Sequence, residues 1–257
     1  MALKALGHDT TILERNPTPL LQDQGAGIVA GGDTLEFLKR YNRIENRSVA
    51  VTSHARQYLN KEGKIVHKIA TEQHMTSWDL TYYLMRANYD GVRSSYFDDS
   101  ELPRPDPRHG NAVHFHDRNV VALEQEERDE GEGSDERTET GQETGWKPKG
   151  GRVRVFWESS KGEKGSILAD VVVGADGPSS TVRRLVQPGV ERKYAGYCAL
   201  RGTLIENEAS DETKKMLCER FTFFHCPGVQ YGFLPYSSAP SPFRAIRTSI
   251  LSFLSIY

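Results

Sequence analysis

Cysteine is scarce. The 257 residues hold three, Cys198, Cys218 and Cys226, at spacings that build neither a disulfide framework nor a zinc site. Excess positive charge is absent too: 33 Lys and Arg against 35 Asp and Glu leave a formal charge of -2 and no basic stripe. That excludes the electrostatic footprint of a nucleic-acid binder. No apolar run approaches the about 20 residues that a helix needs to cross a bilayer. Met1 leads at once into a short helix reaching Gly7 and His8, so no secretory leader is expected. A soluble, cytoplasmic chain in a reducing compartment follows as the expectation. Ser-His-Asp and Cys-His constellations are also missing. His114-Phe115-His116 puts two imidazoles on one face of a strand, but no third ligand presents itself. No metal is expected, and these read as surface histidines of an edge strand.

What is present centres on Asp170-Val171-Val172-Val173-Gly174-Ala175-Asp176-Gly177-Pro178-Ser179-Ser180-Thr181-Val182-Arg183-Arg184. Its small and β-branched start predicts a strand buried on both faces, as in parallel sheets. Gly174 and Gly177 break the strand around one acid, and Ser179 or Ser180 caps a helix from near Thr181. Asp176 then stands at the carboxyl end of a sheet strand, where open α/β sheets bind ligands. Its carboxylate accepts hydrogen bonds only, from ligand hydroxyls or from backbone N–H groups. Two readings stay open: a loop acid that caps a helix, and a ligand holder.

The string Val-Val-Val-Gly-Ala-Asp-Gly, followed by Ser and by Val182-Arg183, resembles the Gly-Asp motif of the flavin-dependent aromatic hydroxylases of para-hydroxybenzoate hydroxylase type. The resemblance implies that Asp176, with Gly177, holds a ribityl hydroxyl of FAD, and that the segment also serves NAD(P)H. A second piece lies near the start. Leu3–Gly7 reads as a helix end, Thr10–Leu13 as a short strand, and Glu14-Arg15 follows. An acid ending the second strand of a dinucleotide-binding βαβ unit bonds the adenosine ribose. Glu14 is in that place, the family string is likewise Glu-Arg, and the other reading is a solvated strand-end acid. Gly25-Ala26-Gly27-Ile28 resembles the segment by which the family passes the flavin; a glycine turn before a strand competes.

Other family parts have no match. No Gly-x-Gly-x-x-Gly turn precedes Glu14, and the second aspartate motif of the family is not found. The tail, 237–257, is atypical. The chain therefore reads as truncated at both ends, and on that reading it should bind FAD poorly.

The fold class expected is α/β: an incomplete Rossmann-type FAD-binding domain with an antiparallel-sheet substrate domain. The first would take 1–49 and 72–190, the second 50–71 and 191–257. Within the first, the acidic, Gly-rich stretch near 125–150 cannot bury enough apolar surface to order itself, and is expected to be a dispensable disordered excursion. It separates strands at Asn119–Leu123 and Arg152–Glu158. Thr34–Arg40 predicts a helix, and Ala50–Leu59 with Lys64–Ala70 a hairpin turning at Asn60–Gly63. Thr76-Ser77-Trp78-Asp79 caps a helix to about Asn88, on which Arg86 is expected to face solvent. Trp78 stands about where many family members carry an arginine that reaches the flavin. Lys193–Leu204 predicts a strand ending at Arg201-Gly202, similar to one in the 2,6-dihydroxypyridine 3-monooxygenase-like subgroup. Arg201 would attract an anionic or phenolic substrate or form a structural ion pair. Phe221–His225 and Val229–Leu234 predict two further strands.

The resemblance implies that NADH or NADPH reduces FAD and that O2 is then used to hydroxylate a small aromatic or N-heteroaromatic ring. Such chemistry belongs to the cofactor, so the protein needs ligand holders rather than a nucleophile. Alternatives are a non-catalytic or pseudogene-like fragment that binds FAD weakly or not at all, and a related flavoprotein epoxidase, halogenase or reductase. Oligomeric state is not read from the sequence.

Overall fold

A computed structural model of the chain describes residues 1–19, 27–45, 48–127, 151–196, 198–205, 208–227, 229–237 and 244–252. Its elements in chain order begin with α1 (Ala2–Ala5), β1 (Thr10–Leu13), β2 (Gly27–Ala30), α2 (Gly32–Tyr41), β3 (Val51–Leu59), β4 (Ile65–Ser77) and α3 (Trp78–Asp90). They continue with β5 (Ala112–Phe115), β6 (Asn119–Glu127), β7 (Gly151–Glu158), β8 (Lys164–Ala169) and α4 (Thr181–Val186). Last come β9 (Cys198–Ile205), α5 (Asp211–Leu217), β10 (Arg220–Cys226), β11 (Val229–Ser237) and β12 (Arg244–Ser252). The fold is mixed α/β. Two compact units divide it: Met1–Thr10, Leu20–Val113 and Ala195–Tyr257 in one, Thr11–Pro19 and His114–Tyr194 in the other.

The first unit is built on a seven-stranded sheet in the order β2-β4-β3-β10-β11-β12-β9. The predicted hairpin forms its β3–β4 part. At its turn Asn60 Oδ1 accepts from the N–H groups of Glu62 and Lys64, a local bond that lets Asn reverse a chain. β4 then runs on beyond Ala70 to Ser77 and pairs with β2, Gly27 opposite Ser77. All neighbours in this sheet are antiparallel except β3 and β10, which run parallel with Gln57 opposite Thr222. Both side chains are fully buried, and Gln57 Nε2 donates to Thr222 Oγ1 at 2.9 Å and to the Met216 carbonyl of α5 at 2.7 Å. Both bonds of Nε2 are thus made, while the buried Oε1 has no partner among the described residues.

α3 carries the main core. Leu80, Tyr83, Leu84 and Ala87 recur at helical spacing and pack with Leu38, Ile44, Tyr96 and Phe97. Ser77 caps it as predicted, its Oγ accepting from the Leu80 N–H at 3.0 Å, and Gly91 closes it in the left-handed conformation. Arg86, expected in solvent, is buried: 5% of it is exposed. Asp90 and the Tyr82 hydroxyl one turn to either side supply partners that make this possible.

The second unit holds an antiparallel sheet, β6-β7-β8, with α4 beside β6. β6 continues past Leu123 to Glu127 because Arg152 and Arg154 stand opposite Glu126 and Glu124, pairing acidic sequence with basic. Arg154 Nε donates to Glu126 Oε1 as well. Residues 128–150, the body of the acidic stretch, lie outside the described residues.

Val171–Val173 is not a strand. Val171 and Val173 are 77% and 72% exposed, and no described strand pairs with the segment. A strand buried on both faces needs neighbours on both edges, and the sequence pattern alone does not provide them. β1 pairs instead with β5. Their bonds, Thr10 N–H to Asn111 C=O and Glu14 N–H to Phe115 C=O, advance together along both chains, so the two run parallel. In the tail, β12 occupies the sheet between β11 and β9, and β9 continues through Gly202 to Ile205. β8 and α5 were not predicted.

Candidate functional site

The loop from Gly174 to Ser180 is shaped by two glycines. A Cβ on Gly174 would fall 2.7 Å from Val182 Cγ1, so close packing of loop on helix demands glycine. Gly177 has φ +75° with open space beside it. Between them Asp176 turns back onto α4. One carboxylate oxygen accepts from the Ser180 hydroxyl, the other from the N–H groups of Thr181 at 2.6 Å and Val182 at 3.1 Å. Ser180 in turn caps the helix through the Arg183 N–H at 2.9 Å, and Arg183 Nη2 returns to the Pro178 carbonyl at 2.6 Å. The motif is thus tied at both ends, and the part played by Arg183 was not foreseen. Partial burial by itself would push the Asp176 carboxyl up; the bonds from Ser180, Val182 and Thr181 outweigh it and hold the group below the ordinary carboxylate range. An ionised carboxylate offers about four acceptor positions, and the N–H of Asp176 itself adds to the three bonds above.

Glu14 follows β1 directly. Its backbone bonds Phe115 and Arg118, and its Oε1 accepts from the Asn16 N–H at 2.8 Å. That bond fixes the side chain at the strand end and leaves Oε2 as an acceptor. Arg15 is exposed beside it. Glu14, Arg15, Asp176 and Gly177 all belong to the second unit. Gly25 and Ala26 lie outside the described residues, and Gly27 opens β2 in the first unit. Arg201 is placed on β9, its backbone opposite Ser249.

At the start of α3 an unpredicted ladder runs along one stripe of the helix. The Trp78 indole stacks on Tyr82, centroids 5.1 Å apart and planes 8° from parallel. The Arg86 guanidinium lies over the other end of the contact, 5.6 Å from the Tyr82 centroid, donates to Tyr82 Oη at 2.7 Å, and pairs with Asp90. The spacing 78, 82, 86, 90 is the signal that could have found it.

His114 and His116 do share a face, but their rings are stacked 4.4 Å apart and half-buried rather than spread on a surface. Among the described residues no group of three or more His, Cys, Asp or Glu is placed to hold a metal ion. No described helix is long and apolar enough to cross a membrane. A cleft of about 350 Å³ among Lys4, Arg43, Asn88 and Arg104 lies at the far end of α3, where Lys4 Nζ caps the Tyr89 carbonyl at 2.5 Å.

Comparison with known proteins gives a partial match and a broad structural one. Residues 194–237, which hold β9, α5, β10 and β11, match an FAD binding domain-like family model. No curated protein matches the sequence. The structure is similar to 2,6-dihydroxypyridine-3-hydroxylase from Arthrobacter nicotinovorans, at 22% identity and a TM-score of 0.63 over 93% of this chain and 49% of that one. It is similar to CtdE, solved in complex with FAD and its substrate, at 11% identity and 0.60 over 98% and 55%. A third is p-nitrophenol 4-monooxygenase PnpA from Pseudomonas putida DLL-E4, at 14% and 0.53 over 100% and 54%. The chain spans about half the length of these solved proteins. At such identities the likeness is one of fold, the mixed α/β architecture that this chain shares with them.

Proposed function

We propose that the chain binds FAD and serves a flavin-dependent monooxygenase reaction, with NADH or NADPH and O2 as co-substrates and a small aromatic or N-heteroaromatic ring as substrate. The observation that carries this reading is the Asp176 loop. A glycine-bounded carboxylate, kept ionised by its own helix and exposed to solvent, suits a sugar or ribityl hydroxyl that shares it with these donors. The FAD binding domain-like match over 194–237 supports it from an independent part of the chain.

The residues present fit the cofactor as hydroxyl holders. Glu14 Oε2 is available for an adenosine ribose, Asp176 for the ribityl chain, and the space beside Gly177 admits close backbone approach. Arg15 and the Gly25-Ala26-Gly27 segment are assigned to the same ligand, and Arg201 to an anionic or phenolic substrate. Bound FAD would supply two-electron reduction by the nicotinamide and activation of O2. The chain's own work is to accept these hydroxyl bonds, orient the ring and exclude water. Among possible substrates the dihydroxypyridines come first, on the Tyr194–Gly202 string and the hydroxylase fold it is found in.

Equilibrium dialysis with FAD tests this. Wild type is expected to take up flavin weakly, and Asp176→Ala and Glu14→Gln to weaken uptake further by about 10- to 150-fold each, the range set by one hydrogen bond to a charged group. Equal uptake by wild type and Asp176→Ala would overturn the assignment. Absence of flavin from wild type would leave the non-catalytic reading, which the three capping bonds of Asp176 favour.

A further inference from the structure

We propose that Trp78 is a stacking platform for a planar nitrogen-heteroaromatic ring, one face of its indole held by Tyr82 and the other offered to a ligand. The core stripe of α3 is made by Leu80, Tyr83, Leu84 and Ala87, and Trp78 takes no part in it. It belongs to the second stripe, where each member is fixed by the next: Asp90 holds Arg86, Arg86 bonds and covers Tyr82, and Tyr82 stacks on Trp78. The series ends at an indole that remains 37% exposed, although its neighbours Ser77, Asp79 and Leu80 are buried. A large ring held rigid at low entropic cost, with apolar surface left in solvent, is how proteins present an aromatic contact.

The surroundings suit a flat ligand. β2 brings Gly27 opposite Ser77, the residue before Trp78, so the strand beside the helix start carries no side chain there. A ring can therefore approach the backbone and the indole together. An electron-rich indole stacks best on an electron-poor ring, and its Nε1–H can only donate, which suits a carbonyl or ring nitrogen at the ligand's edge. A flavin ring and a hydroxylated pyridine both present such an acceptor edge on a flat ring, and the flavin is the electron-poor one of the two. The inference rests on the proposed function for the choice between them, and not for the stack itself.

The experiment isolates Trp78 as the sole indole by replacing Trp146 and Trp157 with Phe, which keeps a ring beneath the Arg118 guanidinium at position 157. Riboflavin, which lacks the adenosine that Glu14 would hold, and 2,6-dihydroxypyridine are titrated separately against indole emission. Saturable quenching by riboflavin assigns the platform to the flavin ring, and quenching by the pyridine alone assigns it to substrate. Quenching by neither overturns the proposal. In the otherwise unchanged chain, Trp78→Leu should weaken binding of the quenching probe by about 3- to 10-fold, the value of one aromatic stack, and Trp78→Phe should stay within about twofold of wild type. An unchanged affinity in Trp78→Leu, with a native circular dichroism spectrum, would overturn it. Failure of the cofactor reading shows separately, as absent FAD uptake by wild type in dialysis.

Discussion

Arg86 and Asp90 form a two-pronged ion pair one turn apart on α3, Nε to Oδ1 at 2.9 Å and Nη2 to Oδ2 at 2.8 Å, with both side chains largely withdrawn from water. Removing one partner would strand the other charge in the core. Arg86→Ala is expected to cost about 3 kcal/mol, and Asp90→Ala a similar amount. The double replacement Arg86→Met with Asp90→Leu should recover most of the loss, because the apolar pair leaves no charge buried. Urea unfolding of the four proteins measures this, and equal losses in single and double variants would contradict it.

Gly174 and Val182 give a second, steric prediction. A methyl group at 174 meets Val182 Cγ1 at 2.7 Å and Cβ at 2.9 Å, atoms that cannot swing away as a long side chain would. Gly174→Ala should therefore destabilise the second unit by about 1–3 kcal/mol through overpacking. Adding Val182→Ala removes the obstacle and should restore part of the stability, a coupling that a double-mutant cycle reads directly.

The lowered titration of Asp176 predicts a pH window. A carboxyl depressed in the folded state stabilises it above the unfolded value of about 3.9, and the contribution is lost as pH falls through the lower folded value. Asp176→Asn cannot titrate. The wild type should be the more stable of the two by about 1 kcal/mol at neutral pH, the usual worth of a helix cap, and the gap should close below about pH 4. Hydrogen exchange at the Thr181 and Val182 amides follows it locally. A gap that is constant with pH would show that the ionised carboxylate is not what matters.

The acidic stretch offers a deletion test. β6 and β7 remain paired as far as Glu127 and Gly151, so a cut should begin after Glu127 rather than at Leu123. Joining Glu127 to Gly151 through Asn-Gly closes the hairpin with a two-residue turn. The melting midpoint is expected to move by less than about 3 °C; cutting back to Leu123 should lower it further, because the Glu124 and Glu126 pairs with Arg154 and Arg152 go with it.

Local signals were legible in the sequence wherever bonding is local. Ser77 before an apolar stripe, Asn60 at a turn and Thr10–Leu13 as a strand all stand where they were read. α5 carries an equally plain local signal, Ser210 ahead of Asp211 and Glu212. Val171–Val173 and Arg86 failed for a different reason. Periodicity and charge state what environment a residue would take, and a distant partner decides whether it is there. Val171 and Val173, with no described strand beside them, stay in water, while an arginine given Asp90 and Tyr82 leaves it. For the candidate site, Asp176 was found by its flanking glycines, but its bonds to Ser180, Thr181 and Val182 show that both readings of it, cap and holder, draw on the same carboxylate.

The parallel seam between β3 and β10 has a consequence in time. The strands flanking it on either side are mostly antiparallel neighbours, which zip from turns and short connections, but Gln57 and Thr222 are 165 residues apart along the chain. On a ribosome adding roughly 5–20 residues each second, about 8–30 s pass between the two ends of that one hydrogen bond. Until then the hairpin of β3 and β4 carries an open edge. A nascent chain arrested before β10 should accordingly be the species that chaperones hold.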